Sequence, residues 1–141
     1  MSRLSDYKSR LFAVIRDYEF AEFQYGITDC AMFGGECVEA ITGINPVIEW
    51  KGRYTTSLGG LRVAKKNGYE NQADWFVKNG SEIPVAMAQF GDLALLEGDA
   101  AETGWTVGLV GGSFILAMSE KGLIRVPLFN ATKVFRFGED Q

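Results

Sequence analysis

The chain has 141 residues, of which 47% are hydrophobic and 23% are charged, and its formal net charge is −4 at pH 7. These values are typical of a globular protein and exclude an intrinsically disordered chain. The negative net charge argues against a nucleic-acid-binding protein, because such proteins neutralise phosphates with clustered Lys and Arg. We therefore predict one domain over residues 1–141 with no nucleic-acid partner.

The distribution of apolar residues argues against a secreted protein and a membrane protein. Residues 1–6, MSRLSD, lack the apolar stretch of a secretory signal, so we expect synthesis in a cytoplasm. Residues 103–119 carry no charge, but they fall short of the roughly 20 residues of a membrane span and are interrupted by Gly111 and Gly112. We predict two buried strands with a turn there, and no membrane span.

Helices are predicted in the first half of the chain from the spacing of apolar residues and from capping residues. They run from residue 5 to 18, from 28 or 29 to about 43, from 57 to 67 and from 73 to 77. We expect Ser5 or Asp6 to cap the first helix and Ser57 to cap the third. The second contains Gly34 and Gly35, which cost about 1 kcal/mol each relative to alanine, so we expect another backbone to pack closely against it.

Short apolar runs separated by glycine predict strands after Pro84. These runs cover residues 92–96, 106–110, 114–119, 123–126 and 133–137. Residues 120–122, EKG, are typical of a hairpin turn with Gly122 in the left-handed region. Helices followed by an antiparallel sheet of about five strands make the predicted fold class α+β.

The chain has two cysteines, Cys30 and Cys37, and no histidine. If both cysteines lie on one helix, their separation of about 10.5 Å along the axis exceeds the roughly 7 Å that a disulfide allows. A structural zinc site would lack its usual number of ligands. We therefore predict no disulfide, no metal and no cofactor.

Cys30 is the strongest candidate for a reactive residue, because it opens the second predicted helix directly after Asp29. Backbone N–H groups and the helix dipole favour a thiolate at this position, which would make Cys30 a nucleophile with Asp29 as the cap. The alternative is that Cys30 is a small buried apolar residue. Both interpretations remain open from the local sequence.

Three segments resemble motifs of the NlpC-type cell-wall cysteine peptidases. Residues 25–33, YGITDCAMF, resemble the aromatic, glycine and Asp-Cys motif that opens the family's catalytic helix. Residues 90–93, FGDL, resemble its Gly-Asp-Leu strand entry, and residues 106–111, TVGLVG, resemble its His-Val-Gly-Ile strand. The resemblance covers residues 25–136 and implies a papain-like fold, with the helices packed on the sheet and Cys30 at the nucleophile's position.

Residues 23–43 and the following Gly52-Arg53-Tyr54 are most similar to a phage-encoded branch of this group that is found among tail genes. That resemblance implies a virion protein of the phage tail, made in the host cytoplasm. The implied partners are other tail proteins of the hub or tip, with peptidoglycan as a further candidate.

The chain departs from the family at the catalytic base. Thr106 occupies the position of the family's histidine, and the residue that would orient the base falls in the apolar run 114–117. A threonine hydroxyl cannot accept a proton near neutral pH. We therefore expect an inactive peptidase-like cleft. The alternatives are an active peptidoglycan peptide hydrolase, with Cys30 as nucleophile and an unrecognised base, and a module that binds a peptide or glycan without cutting it.

Five further residues are candidates for the cleft. Tyr25, Gln89 and Trp105 are expected to line it, whereas Asp29 is expected to cap its helix and Asp92 to hold a strand entry through backbone hydrogen bonds. As an alternative, Asp29, Asp92, Gln89 or Tyr25 replaces the missing base.

Overall fold

A computed structural model describes residues 2–98 and 105–139. The first half of the chain forms four α-helices, as predicted. They are α1 (Tyr7–Glu19), α2 (Cys30–Thr42), α3 (Ser57–Lys66) and α4 (Gln72–Asn79). Within the described ranges, no helix is long and apolar enough to cross a membrane.

The second half forms an antiparallel sheet of six strands, so the fold class is α+β. The strands are β1 (Ser81–Ile83), β2 (Leu93–Glu97), β3 (Trp105–Val110), β4 (Phe114–Ser119), β5 (Gly122–Pro127) and β6 (Lys133–Arg136). Their order across the sheet is β1-β6-β2-β3-β4-β5. The five predicted strands are confirmed, and β1 is an additional edge strand that pairs with β6.

The uncharged stretch forms β3 and β4 joined by a turn, as expected, although residues 103 and 104 of that stretch lie outside the described ranges. The hairpin between β4 and β5 is also confirmed. Its Gly122 has φ +100°, in the left-handed region that favours glycine.

The two faces of the sheet carry separate apolar layers, because successive side chains of a strand point to opposite faces. Leu109 belongs to the layer packed against the helices, whereas its neighbour Val110 belongs to the layer on the other face. Two short 3₁₀ helices, Val85–Met87 and Leu128–Asn130, lie beside this second layer. The α-helices are therefore on one side of the sheet.

Two predicted caps differ in the structure. Asp6 holds the N-cap position of α1 but makes no capping hydrogen bond, because its Oδ1 pairs instead with Arg10 Nε at 2.9 Å. Thr56, not Ser57, caps α3, and its Oγ1 accepts the Gly59 N–H at 3.0 Å.

Side chains, rather than the expected backbone, pack against the two glycines of α2. A Cβ on Gly34 would lie 3.0 Å from Phe76 Cζ and 3.1 Å from Val107 Cγ1. A Cβ on Gly35 would lie 2.3 Å from Val47 Cγ2. Since Val107 belongs to β3, the missing side chain at Gly34 allows α2 to lie close to the sheet and brings the start of α2 to β3.

Candidate functional site

Cys30 is the first residue of α2 and is half-buried. The preceding Asp29 is the N-cap, as predicted, and is only 3% exposed. Its Oδ1 accepts the Met32 N–H at 3.0 Å, while its Oδ2 accepts the Gly26 N–H at 2.8 Å and the Tyr54 hydroxyl. Both carboxylate oxygens are therefore occupied by donors that hold the local chain.

Thr106 lies beside Cys30. Its hydroxyl and the backbone N–H groups of Val107 and Ala31 are near enough to the Cys30 sulfur to lower the pKa of the thiol. β3 pairs with β4 only from Gly108 onward, and Gly108 lies opposite Ala117. The first residues of β3, which Cys30 approaches, are therefore not paired with β4. Cys30 and Thr106 are therefore neighbours where the start of α2 approaches β3.

The surroundings of Cys30 favour the thiol. Burial raises the pKa of the Cys30 thiol, the Asp29 carboxylate raises it further, and the hydrogen bonds from Thr106, Val107 and Ala31 only partly oppose this rise. A cysteine with an ordinary pKa near 8.5 is already mostly protonated at neutral pH. The pKa of the Cys30 thiol is therefore raised, whereas activation by the start of the helix would lower it.

Histidine, the usual general base that removes a proton from a catalytic thiol, is absent from the chain. The Asp29 carboxylate acts on the Cys30 thiol by raising its pKa. The Asp29 oxygens accept hydrogen bonds from Met32, Gly26 and Tyr54, so Asp29 serves as a structural cap.

A cavity of about 850 Å³ opens from Cys30 and Thr106. This volume lies within the range of about 300–1,000 Å³ that is usual for ligand sites. Tyr25 and Trp105 line the cavity, as predicted. Tyr25 donates its hydroxyl to Glu120 Oε1 at 3.4 Å, and Trp105 packs against the core.

Polar residues that the sequence did not single out also line the cavity. They are Ser57, Gln72, Ser119 and Asn130. Four of the charged lining residues, Glu97, Glu120, Lys121 and Arg125, are exposed, whereas the fifth, Asp29, is buried. No motif marks Ser57 or Gln72, which reach the cavity because they begin α3 and α4.

Asp92 and Gln89 lie away from this cavity. Asp92 precedes the first residue of β2, whereas the strand's last residue, Glu97, is the one on the cavity rim. Asp92 is 1% exposed, accepts the Gln89 N–H at 2.8 Å, and binds the Arg136 guanidinium through Nε and Nη2 at 2.9 Å each. Its expected structural role is confirmed, and Arg136 is the partner that the sequence did not reveal.

Gln89, which the sequence predicts to line the cleft, is not among the residues that line this cavity. The residue is exposed and lies outside the cavity wall. Over residues 2–98 and 105–139, no group of three His, Cys, Asp or Glu side chains is placed to hold a metal ion. Cys37 is fully buried on α2, seven residues after Cys30, and both thiols are free.

Residues 2–137 match the model of a domain of unknown function, DUF6950, and the chain belongs to that family. No curated protein is significantly similar to the chain.

Proposed function

We propose that this chain is a bacteriophage tail component, acting in the tail tip, the hub or tail assembly, with a peptidase-like cleft that does not cleave. The proposal includes a papain-like NlpC-type fold for the single domain. The observation that carries the inactive cleft is that Thr106 lies beside Cys30 in a chain without histidine, while burial and Asp29 raise the pKa of the Cys30 thiol. The assignment to a phage tail rests on the sequence resemblance.

The chemistry of this contact supports the absence of cleavage. A cysteine peptidase needs a thiolate and a base that passes the proton to the leaving group. A general base contributes a factor of roughly 10²–10⁴ to the rate. Thr106 lies beside the sulfur but cannot take its proton near neutral pH. The cleft can therefore hold a ligand but lacks the groups that would cleave it.

Exposed apolar side chains support a role in an assembly. Phe20 is 90% exposed, Phe129 is 75% exposed and Met87 is 65% exposed. Large apolar side chains on a surface are common in protein–protein contacts. In the proposed function these residues pack against other tail proteins after the chain is made in the host cytoplasm, and peptidoglycan is a further candidate partner for the cleft.

We expect the chain to be present at a fixed copy number in purified particles of the phage that encodes it, measured by quantitative peptide mass spectrometry. We also expect purified peptidoglycan incubated with the chain to release no new amino groups. Cys30→Ser is the matched control for the second measurement. Absence from the particles would contradict the tail assignment. Amino-group release that Cys30→Ser abolishes would favour the hydrolase instead.

A further inference from the structure

The strand β5 forms one edge of the sheet. Among the described strands, β4 is its one neighbour, because the order across the sheet is β1-β6-β2-β3-β4-β5. The backbone groups on the outer side of an edge strand can pair with another chain, and proteins usually protect them by short strands, proline or charge. At the other edge, β1 has three residues and Pro84 follows it. β5 has six residues and therefore presents the longer edge.

Leu123 and Arg125 present backbone groups on the outer side of β5. The C=O of Phe114 accepts a hydrogen bond in the turn between β3 and β4, so the backbone of Phe114 points to β3. The direction alternates along a strand, so the next residue, Ile115, points to β5, where it lies opposite Val126. The same alternation along β5 turns Arg125 and Leu123 outward. The described residues give these two N–H groups no backbone acceptor.

Neither the charge nor the proline of β5 closes this edge. The guanidinium carbon of Arg125 lies 4.4 Å from the centroid of the Phe114 ring on the neighbouring strand, so the side chain lies over the sheet and not across its edge. Pro127 lacks an N–H group, but it is the last residue of β5. Two outward donors and two outward acceptors, on Leu123 and Arg125, therefore remain for another strand.

Exposed apolar side chains accompany this edge. Ile124, in the middle of β5, is 39% exposed, and Phe129, two residues beyond its end, is 75% exposed. Phe20, which is 90% exposed, adjoins the start of β5, because a Cβ on Gly122 would lie 3.8 Å from the C=O of Ala21. Burying both phenylalanines in two copies would remove roughly 600–1,000 Å² of surface. That is a large share of the about 1,200 Å² of a stable interface.

Charges select one register for two antiparallel copies of β5. With Ile124 opposite Ile124 of a second copy, Leu123 exchanges two hydrogen bonds with Arg125 of that copy, which gives four bonds about the two-fold axis. Centring the pair on Arg125 would set the two arginines opposite each other. Centring it on Leu123 would set Arg125 opposite Lys121. Like charges directly opposite are destabilising, so the pair centred on Ile124 is favoured.

We infer that β5 pairs with β5 of a second copy of this chain, antiparallel and centred on Ile124, so that the two sheets become continuous. This inference goes beyond the proposed function, because the open edge carries it whether or not the chain belongs to a phage tail. Within the proposed function, the second copy is one of the proteins against which Phe20 and Phe129 pack.

Sedimentation equilibrium tests the dimer, whose expected mass is twice the 15.5 kDa of the chain. Ile124→Lys sets two like charges opposite each other and should weaken association at least about tenfold. Ile124→Glu should do the same, whereas an equimolar mixture of the two variants should associate again, because opposite charges then face each other. Ile44→Lys is the matched control, since Ile44 is 62% exposed in the loop after α2, and it should leave the dimer unchanged.

Cross-linking tests the register. The Cα atoms of the two Ile124 residues should lie about 4.5 Å apart, which a disulfide can bridge. Ile124→Cys should therefore form an intermolecular disulfide under mild oxidation. Arg125→Cys should not, because residue 125 lies opposite residue 123 of the second copy and the two 125 positions are more than about 7 Å apart.

Three results would overturn the inference. They are a wild-type chain that stays monomeric, a folded Ile124→Lys variant that associates as tightly as the wild type, and an Ile124→Cys variant that cross-links no better than Arg125→Cys. Circular dichroism establishes that each variant is folded. The presence of the chain in purified particles tests the tail assignment separately, since it does not depend on pairing between copies.

Discussion

Arg136→Met is expected to lower the free energy of unfolding by about 3–5 kcal/mol. The variant keeps much of the apolar stem and removes the charge that faces Asp92. Asp92 is 1% exposed, and both of its oxygens lie 2.9 Å from nitrogens of the guanidinium group. A buried carboxylate that loses its cation is left uncompensated. The pair also joins β6 to the entry of β2, so the loss should affect the whole sheet.

Urea unfolding followed by circular dichroism measures this effect. Lys133→Met is the matched control, because Lys133 Nζ lies 3.7 Å from Glu82 Oε1 and both side chains are about half exposed. Such a surface pair should contribute less than about 1 kcal/mol. Asp92→Asn added to Arg136→Met should recover part of the loss by removing the buried charge. Equal effects of Arg136→Met and Lys133→Met would contradict this account of the pair.

Asp29→Ala is expected to lower the free energy of unfolding by roughly 3–4 kcal/mol, from the lost cap and two further buried donors. The carboxylate accepts hydrogen bonds from the Met32 and Gly26 N–H groups and from the Tyr54 hydroxyl. Alanine leaves all three donors without their acceptor. The variant should also lower the pKa of Cys30, because the Asp29 charge raises it.

Asn71→Ala provides the comparison for Asp29→Ala. Asn71 caps α4 through one hydrogen bond from the Asp74 N–H at 2.9 Å, so its loss should cost about 1 kcal/mol. Urea unfolding gives both free energies of unfolding. The pH dependence of alkylation in the folded Asp29→Ala variant reports the change in the pKa of the Cys30 thiol. An Asp29→Ala effect no larger than that of Asn71→Ala would mean that the Gly26 and Tyr54 contacts contribute little.

Most of the fold follows from local signals in the sequence. The start of α2 is predictable because Asp29 is a good cap, and its end is predictable because Gly43 takes φ +89°. The strands after Pro84 are marked by apolar runs between glycines. β1 is missed because its three residues, Ser81–Ile83, carry no apolar alternation and gain their structure from pairing with β6.

The site is predictable only where a motif marks it. The sequence motifs single out Cys30 and Thr106, and the structure places the two residues side by side at the cavity. Asp92 holds the entry of β2, as expected, and lies away from the cavity because β2 and β3 are antiparallel neighbours. The start of β2 therefore lies beside the end of β3 and far from Thr106. No sequence motif predicts that Gln72 lines the cavity, because its position depends on how α4 packs near Tyr54.

The measurement that tests the central claim most directly is the rate of Cys30 alkylation by iodoacetamide as a function of pH, read by peptide mass spectrometry. Cys37, whose pKa burial raises well above its ordinary value, is the internal control in the same chain. An inactive cleft predicts slow labelling of Cys30 at neutral pH, with a rise only above about pH 8.5. Fast labelling of Cys30 well below pH 8, with Cys37 inert, would show an activated thiolate and contradict the account.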